Sequence, residues 1–336
     1  MIPLRILVLT DHANHSVQDT LYPWLRSLNR RPEVAAVEVM SRAQPENAGI
    51  FQTFEGHVGL AGRVDEYFYP AKRAVYFSKK ARLVSIQDYD WVLLRIPKPN
   101  PAALFEYLEH IVDPDKLLNR PSGILEVGSK AFLQQYPEIA PRMSLCHSLA
   151  EVKAESQRGD VVIKPLFESG GKGIVRVKAG MIQDGSRSWT WDSYQTILEP
   201  MLEEGVMVVE YLQRVGEGDK RILLANGQVL GSSLRLPAPG SWLCNVSQGG
   251  SSHSAEIDAD EQAIIDRLLP DMTAKGIMMM GLDTLVNNKG RRVLSEINAS
   301  CPGGWYPTEI TTGQPVVERL TEETLHYIKA QGNSAD

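Results

Sequence analysis

Leu282-Asp-Thr-Leu-Val-Asn-Asn-Lys-Gly-Arg-Arg-Val-Leu-Ser-Glu-Ile-Asn298 sets two acids and an amide inside apolar runs. An even-length turn centred between Asn288 and Lys289 pairs Asp283 with Leu294, and since strand side chains alternate, Glu296 and Asn298 then share the face of Asp283. Three oxygen ligands placed this way suit a hard cation, Mg²⁺ or Mn²⁺, that completes its shell with phosphates and water. A slip of one residue scatters them. The apolar runs Met278 to Leu282 and Val293 to Ile297 argue against a solvated sheet edge as the home of these acids.

A second stretch, Val161-Val-Ile-Lys-Pro-Leu-Phe-Glu-Ser-Gly-Gly-Lys-Gly-Ile174, reads as a strand, a phosphate-covering loop and a returning strand. Glycine-rich backbone can lay N–H groups over anionic oxygens while Lys164, inside the first strand, points its ammonium at them. The expected ligand is a nucleotide. Leu166 and Gly173 break the pattern of a P-loop, and neither His-Arg-Asp nor Asp-Phe-Gly occurs, so the kinase pattern is missing too. Taken alone, the loop could equally be a tight β-turn. Lys130 and Lys164 are the cations expected on the ATP phosphates. Met207 to Leu212 reads as the strand beside an adenine slot, where backbone groups can hydrogen-bond the base and Asp219 can reach the ribose hydroxyls.

Leu4 to Thr10, Val34 to Met40 and Asp90 to Arg95 read as strands, the first two joined by a helix over Val17 to Arg30, which is βαβ grammar. The proline-broken run Ile96 to Pro101 follows the third strand. Pro121 to Gly128 looks like a linker, and beyond it Asn226-Gly227 and Asn287 to Gly290 are hairpin signals for an antiparallel sheet. The Gly/Ser cluster Ser247 to Ser254 is expected to be a substrate loop. An α/β fold follows, with an N-terminal domain over 1–122, a small lobe with the phosphate loop over 123–205, a C-terminal lobe with the metal site over 206–330 and a disordered tail at 331–336.

With 336 residues, 43% of them apolar, the chain can bury a large core, and a formal net charge of −6 leaves no basic footprint for nucleic acid or an anionic membrane. Cys146, Cys244 and Cys301 fit no disulfide or zinc framework, which points to a reducing, cytoplasmic setting. His12 and His15 form a close pair without a third ligand and are read as loop or cap histidines.

Lys164-Pro165, Gly170-Gly-Lys-Gly173, Gly218-Asp-Lys-Arg221, Leu234-Arg-Leu-Pro237, Asn245 with Gly249-Gly250, Gly281-Leu-Asp283 and Glu296-Ile-Asn298 follow one another in an order that resembles the ATP-grasp superfamily, prokaryotic-type glutathione synthetase within it. Gln18-Asp-Thr20, Leu94-Arg95 and Asn119-Arg-Pro121 extend the resemblance almost end to end. It implies a three-lobed ATP-grasp fold with an N-terminal pre-ATP-grasp domain. ATP would lie between two lobes, with Lys130 and Lys164 on its phosphates, a lid at Gly170, Gly171 and Gly173, and Glu210, Tyr211, Leu212 and Asp219 on adenosine. Asp283, Glu296 and Asn298 would hold Mg²⁺, Arg221 and Arg235 would flank the reacting carboxylate, and Asp19, Arg95, Asn245, Gly249 and Gly250 would bind substrate. The implied reaction phosphorylates the carboxylate of γ-glutamylcysteine and lets glycine attack the acyl-phosphate, in a homo-oligomer. Gly128-Ser-Lys130, Ile96 to Pro101 and Ser300 to Ile310 depart from the family pattern near the acceptor. A ligase for another dipeptide or a peptide tail, and a nucleotide-binding protein without catalysis, are the alternatives.

Overall fold

The computed structural model describes residues 3–166, 173–185, 187–238 and 250–333. Strands β1 (Leu4–Thr10), β2 (Val34–Ser41), β3 (Val58–Arg63), β4 (Ala81–Ser85), β5 (Trp91–Arg95) and β6 (Leu117–Leu118) form a sheet in the order β4-β3-β2-β1-β5-β6. β1 lies parallel to both β2 and β5, as its continuous apolar run requires when both faces are covered. Helix α1 (Leu21–Asn29) begins only after Asp19, whose carboxylate accepts the Leu21 N–H at 2.9 Å; the helix expected from Val17 starts four residues late, and Val17 is exposed.

Helix α2 (Ala102–Ile111) is followed by α3 (Pro121–Gly128), where a linker was expected. Pro121 occupies the first turn, where its missing N–H costs nothing, and Ile124 and Val127 are buried. Residues 121–140 pack into the core shared with the first sheet, so the small lobe begins near residue 143 and not at 123. Its sheet comprises β7 (Met143–Cys146), β8 (Val161–Pro165), β9 (Val175–Lys178), β10 (Met181–Asp184), β11 (Arg187–Trp189) and β12 (Val206–Glu210), backed by α4 (Leu149–Gln157) and α5 (Trp191–Leu202). β12 lies between β8 and β7, so the lobe ends at Glu210, past the boundary expected at 205.

The third sheet holds β13 (Asp219–Ala225), β14 (Gln228–Leu236), β15 (Ser251–Ser254), β16 (Met279–Val286) and β17 (Arg292–Asn298), in the order β15-β14-β13-β16-β17 and antiparallel throughout. Asn226 and Gly227 both take positive φ, +49° and +76°, the backbone of the two-residue hairpin that their sequence signals. Helices α6 (Ala259–Ala274), α7 (Trp305–Thr312) and α8 (Val316–Asn333) cover this sheet. α8 runs through residues 331–333, which were expected to be a disordered tail. β17 is the edge of its sheet, contrary to expectation; its apolar residues are nonetheless covered, because α3 and the turn at 130–135 pack on it and the Leu294 N–H donates to the Ile139 carbonyl at 2.7 Å. The first and third sheets share two continuous cores, whereas the small lobe keeps one of its own around Val152, Ile163 and Val208.

His15 and His12 are structural. His15 is buried, with one ring nitrogen 2.8 Å from the Thr10 hydroxyl and the other 2.8 Å from that of Tyr22, while His12 stacks on Phe77. Burial lowers the His15 pKa to about 4, with Asp19 pulling the other way. A histidine depressed on folding stabilises the native state above its unfolded value of about 6.5 and loses that contribution as pH falls towards 4. Replacing His15 with Gln should therefore flatten the acid limb of stability by roughly 3 kcal/mol between pH 6.5 and 4, read as the wild-type minus variant difference in urea unfolding.

Candidate active site

β16 and β17 carry the acids, in a register that differs from the one expected. Near the turn Val286 faces Arg292 and Thr284 faces Leu294, one residue away from the Asp283–Leu294 pairing. That slip alone would put Asp283 opposite Ser295 and turn Glu296 to the far side. A bulge at Ser295 absorbs it, so Asp283 lies opposite Glu296 and Gly281 opposite Asn298. Asp283, Glu296 and Asn298 share one face after all, and the Asn298 amide nitrogen is 3.4 Å from Asp283 Oδ2.

Antiparallel pairing brings the arginines to the same face. Arg221 grips both oxygens of Asp283 through Nε and Nη2, and its Nη1 donates to the Gly303 carbonyl at 3.3 Å. Arg235 makes a two-pronged contact with Asp219, 2.6 Å on each arm, and its Nη2 also lies 3.0 Å from Asp283 Oδ2. Burial would raise the Asp283 carboxyl, but Arg221 and Arg235 outweigh it and hold the pKa below the ordinary value. Asp219 goes the other way: burial, then the charge of Asp283, pushes it up to about 6 against the pull of Arg235. Both oxygens of Asp219, expected on a ribose, are thus engaged by Arg235.

Lys164 lies in β8 opposite Met207 of β12. Burial pulls its pKa down, the charges of Glu296 and Asp283 hold it up, and Lys164 shares a crevice with Ser295, the neighbour of Glu296. Lys130 donates to the carbonyls of Pro165 at 2.9 Å and Leu166 at 3.4 Å, fixing the strand end from which the glycine loop departs. Lys130, Lys164, Met143, Met207, Val209 and Ser295 line one crevice of about 10 Å³, room for about one water. The backbone donors expected to meet the base are partly used: at the end of β12 and just beyond it, the Glu210 N–H donates to the Arg142 carbonyl and the Tyr211 N–H to that of Asp160, both at 2.9 Å. The Tyr211 ring lies beneath the Arg176 guanidinium, and Leu212 is buried.

Gly173 has φ +67°, and a Cβ there would sit 3.0 Å from the Pro165 ring, so the end of the glycine loop needs glycine. Gly170, Gly171, Asn245 and Gly249 lie outside the described residues; Gly250, half-buried, immediately precedes β15. Arg95 is buried, donating to the Pro302 carbonyl at 3.0 Å and to Met279 Sδ at 3.8 Å. Burial raises the pKa of Cys301; Arg95 lowers it and Asp19 raises it, which places all three in one neighbourhood behind the loop that follows Asn298. Beside that loop is a cavity of about 260 Å³ lined by Pro97, Lys98, Gly128, Asn298, Ser300 and Cys301 among others. Among the described residues no three His, Cys, Asp or Glu side chains form a group that could hold a metal ion; the oxygens of Asp283, Glu296 and Asn298 are of the kind that suits a hard cation.

Residues 129–313 match the family model of the prokaryotic glutathione synthetase ATP-grasp domain, more than half of the chain. This chain belongs to that family. The glutathione synthetase of Bradyrhizobium diazoefficiens is 29% identical over 225 residues, covering 66% of this chain and 68% of that protein. That of Parasynechococcus marenigrum is 30% identical over 250 residues, 72% and 73% of the two chains. In fold, the chain resembles the ATP-grasp ligase PsnB, solved with a phosphomimetic variant of its minimal precursor, Mg and ADP, at a TM-score of 0.59 and 15% identity over 99% of this chain and 100% of that one. The protein is therefore an ATP-grasp ligase, an enzyme of the C–N bond-forming, glutathione synthase-like type. In this ligase Ser295 and the partners of Thr284 escaped the reading of the sequence.

Proposed function

We propose that this ligase joins γ-glutamylcysteine to glycine, with Mg²⁺ or Mn²⁺ bound to Asp283, Glu296 and Asn298. The observation that carries the reading is the shared face of those three residues opposite Lys164, beside the cavity that begins at Asn298. The dication, when bound, would supply charge neutralisation on the phosphoryl oxygens. Lys164 and Lys130 would orient the phosphates. Arg221 and Arg235, forked onto Asp283 and Asp219 in this structure, would bring positive charge beside the substrate carboxylate as its oxygen attacks the γ-phosphorus of ATP and ADP leaves. The glycine amine would then attack the acyl carbon, lose a proton and expel phosphate. Hydroxide is a poor leaving group and phosphate a good one, which is the reason for spending ATP.

A cavity of about 260 Å³ lies at the small end of ligand pockets, which favours a single amino acid over a peptide tail as the acceptor. The cytoplasmic setting belongs to the same reading. The decisive measurement is ADP release with each substrate omitted in turn. Release that needs both γ-glutamylcysteine and glycine supports the proposal; release with another amine or a peptide transfers the chemistry to that acceptor, and ATP binding without ADP release under any mixture overturns it.

A further inference from the structure

Sheet side chains repeat every two residues, so two pairings of β17 with β16 can be compared: the observed one, with the bulge at Ser295, and a hypothetical one without it. Only the first puts Glu296 beside Asp283. The far face of the same sheet fixes β16, the strand that carries Asp283. Thr284, fully buried, donates its hydroxyl to Glu261 Oε1 at 2.6 Å. Glu261, also fully buried in the first turn of α6, accepts the Asp258 N–H at 3.0 Å and the Lys220 ammonium on its other oxygen. Lys220 is the cross-strand partner of Thr284 and donates further to the Glu256 carbonyl at 2.7 Å. Arg292 adds a strap, with Nη1 3.2 Å from the Thr284 carbonyl and 3.0 Å from that of Gly218.

One carboxylate therefore ties two neighbouring strands to one helix, at the residues adjoining Asp219 and Arg221 on β13 and Asp283 on β16. Moving Thr284 away would leave a buried carboxylate short of a donor, at a cost that packing does not repay.

We propose that Glu261 is a positioning residue: through Thr284 and Lys220 it fixes β16 against β13 and α6, and so keeps Asp283 on the cleft side of the sheet, opposite Glu296. This rests on the metal reading given above.

The test separates a hydrogen-bonded lock from mere packing. Thr284→Val keeps the shape and removes the hydroxyl, while Thr284→Ser keeps the hydroxyl and removes a methyl. Mn²⁺ binding to the full chain with ADP is followed by the loss of the free-ion paramagnetic resonance signal, and circular dichroism reports the fold. Thr284→Val is expected to weaken Mn²⁺ binding about tenfold, the low end of the effect of an outer-shell partner on metal affinity, with Thr284→Ser within about twofold of wild type. The double variant Lys220→Met with Glu261→Met, which removes the buried ion pair together and leaves Arg292 its carbonyl acceptors, should lose affinity as Thr284→Val does. Wild-type affinity in either Thr284→Val or the double variant, or a Ser variant weaker than the Val variant, overturns the lock. Wild-type protein that takes up no Mn²⁺, or an uptake unaffected by Glu296→Gln, overturns the metal reading and this inference with it.

Discussion

Glu296→Gln should lower ADP release by at least about 100-fold, above the effect expected of an outer-shell partner, while its melting temperature stays within a few degrees of wild type. The exchange is isosteric and the side chain is half-buried, so no core volume is lost. Two effects coincide in the loss of turnover. The carboxylate leaves the cation with one fewer anionic ligand, and it is also one of the two charges that sustain the Lys164 ammonium. Initial rates of ADP formation at saturating ATP, set beside a thermal melt, test it; undiminished rates would remove Glu296 from the ligand set.

Lys164→Met should reduce kcat/KM for ATP by roughly 10²–10³-fold, the usual consequence of deleting one preorganised charge at a transferring group. Methionine fills the same volume without a charge to desolvate. Because burial already disfavours the ammonium, denaturant stability should hold steady or rise. A solvated surface lysine would instead leave the kinetics untouched, so the variant decides between the two roles.

Strand periodicity made much of this centre readable in advance. Alternation placed Asp283, Glu296 and Asn298 together, and Asn226-Gly227 announced its hairpin, because both effects are local. The bulge was not readable: the Leu294 N–H leaves the hairpin to meet Ile139, more than a hundred positions away, and no local pattern encodes such a partner. Two errors cancelled, a register one residue off and an extra residue that restored it. The same long-range reach explains α3, whose apolar side packs on α2 and on the third sheet's edge strand, and β12, whose place between β8 and β7 depends on strands over forty positions upstream. The glycine loop announced itself by composition, yet its middle lies outside the described residues, and only Gly173 at its end could be compared.

Asp283 has a last consequence, through the two guanidinium groups that clasp it. Their positive charge balances the carboxylate in the apoprotein, so the strand does not depend on a dication to assemble. Unlike a zinc finger, which collapses when chelated, this enzyme should survive EDTA with its shape intact and its turnover reversibly silenced.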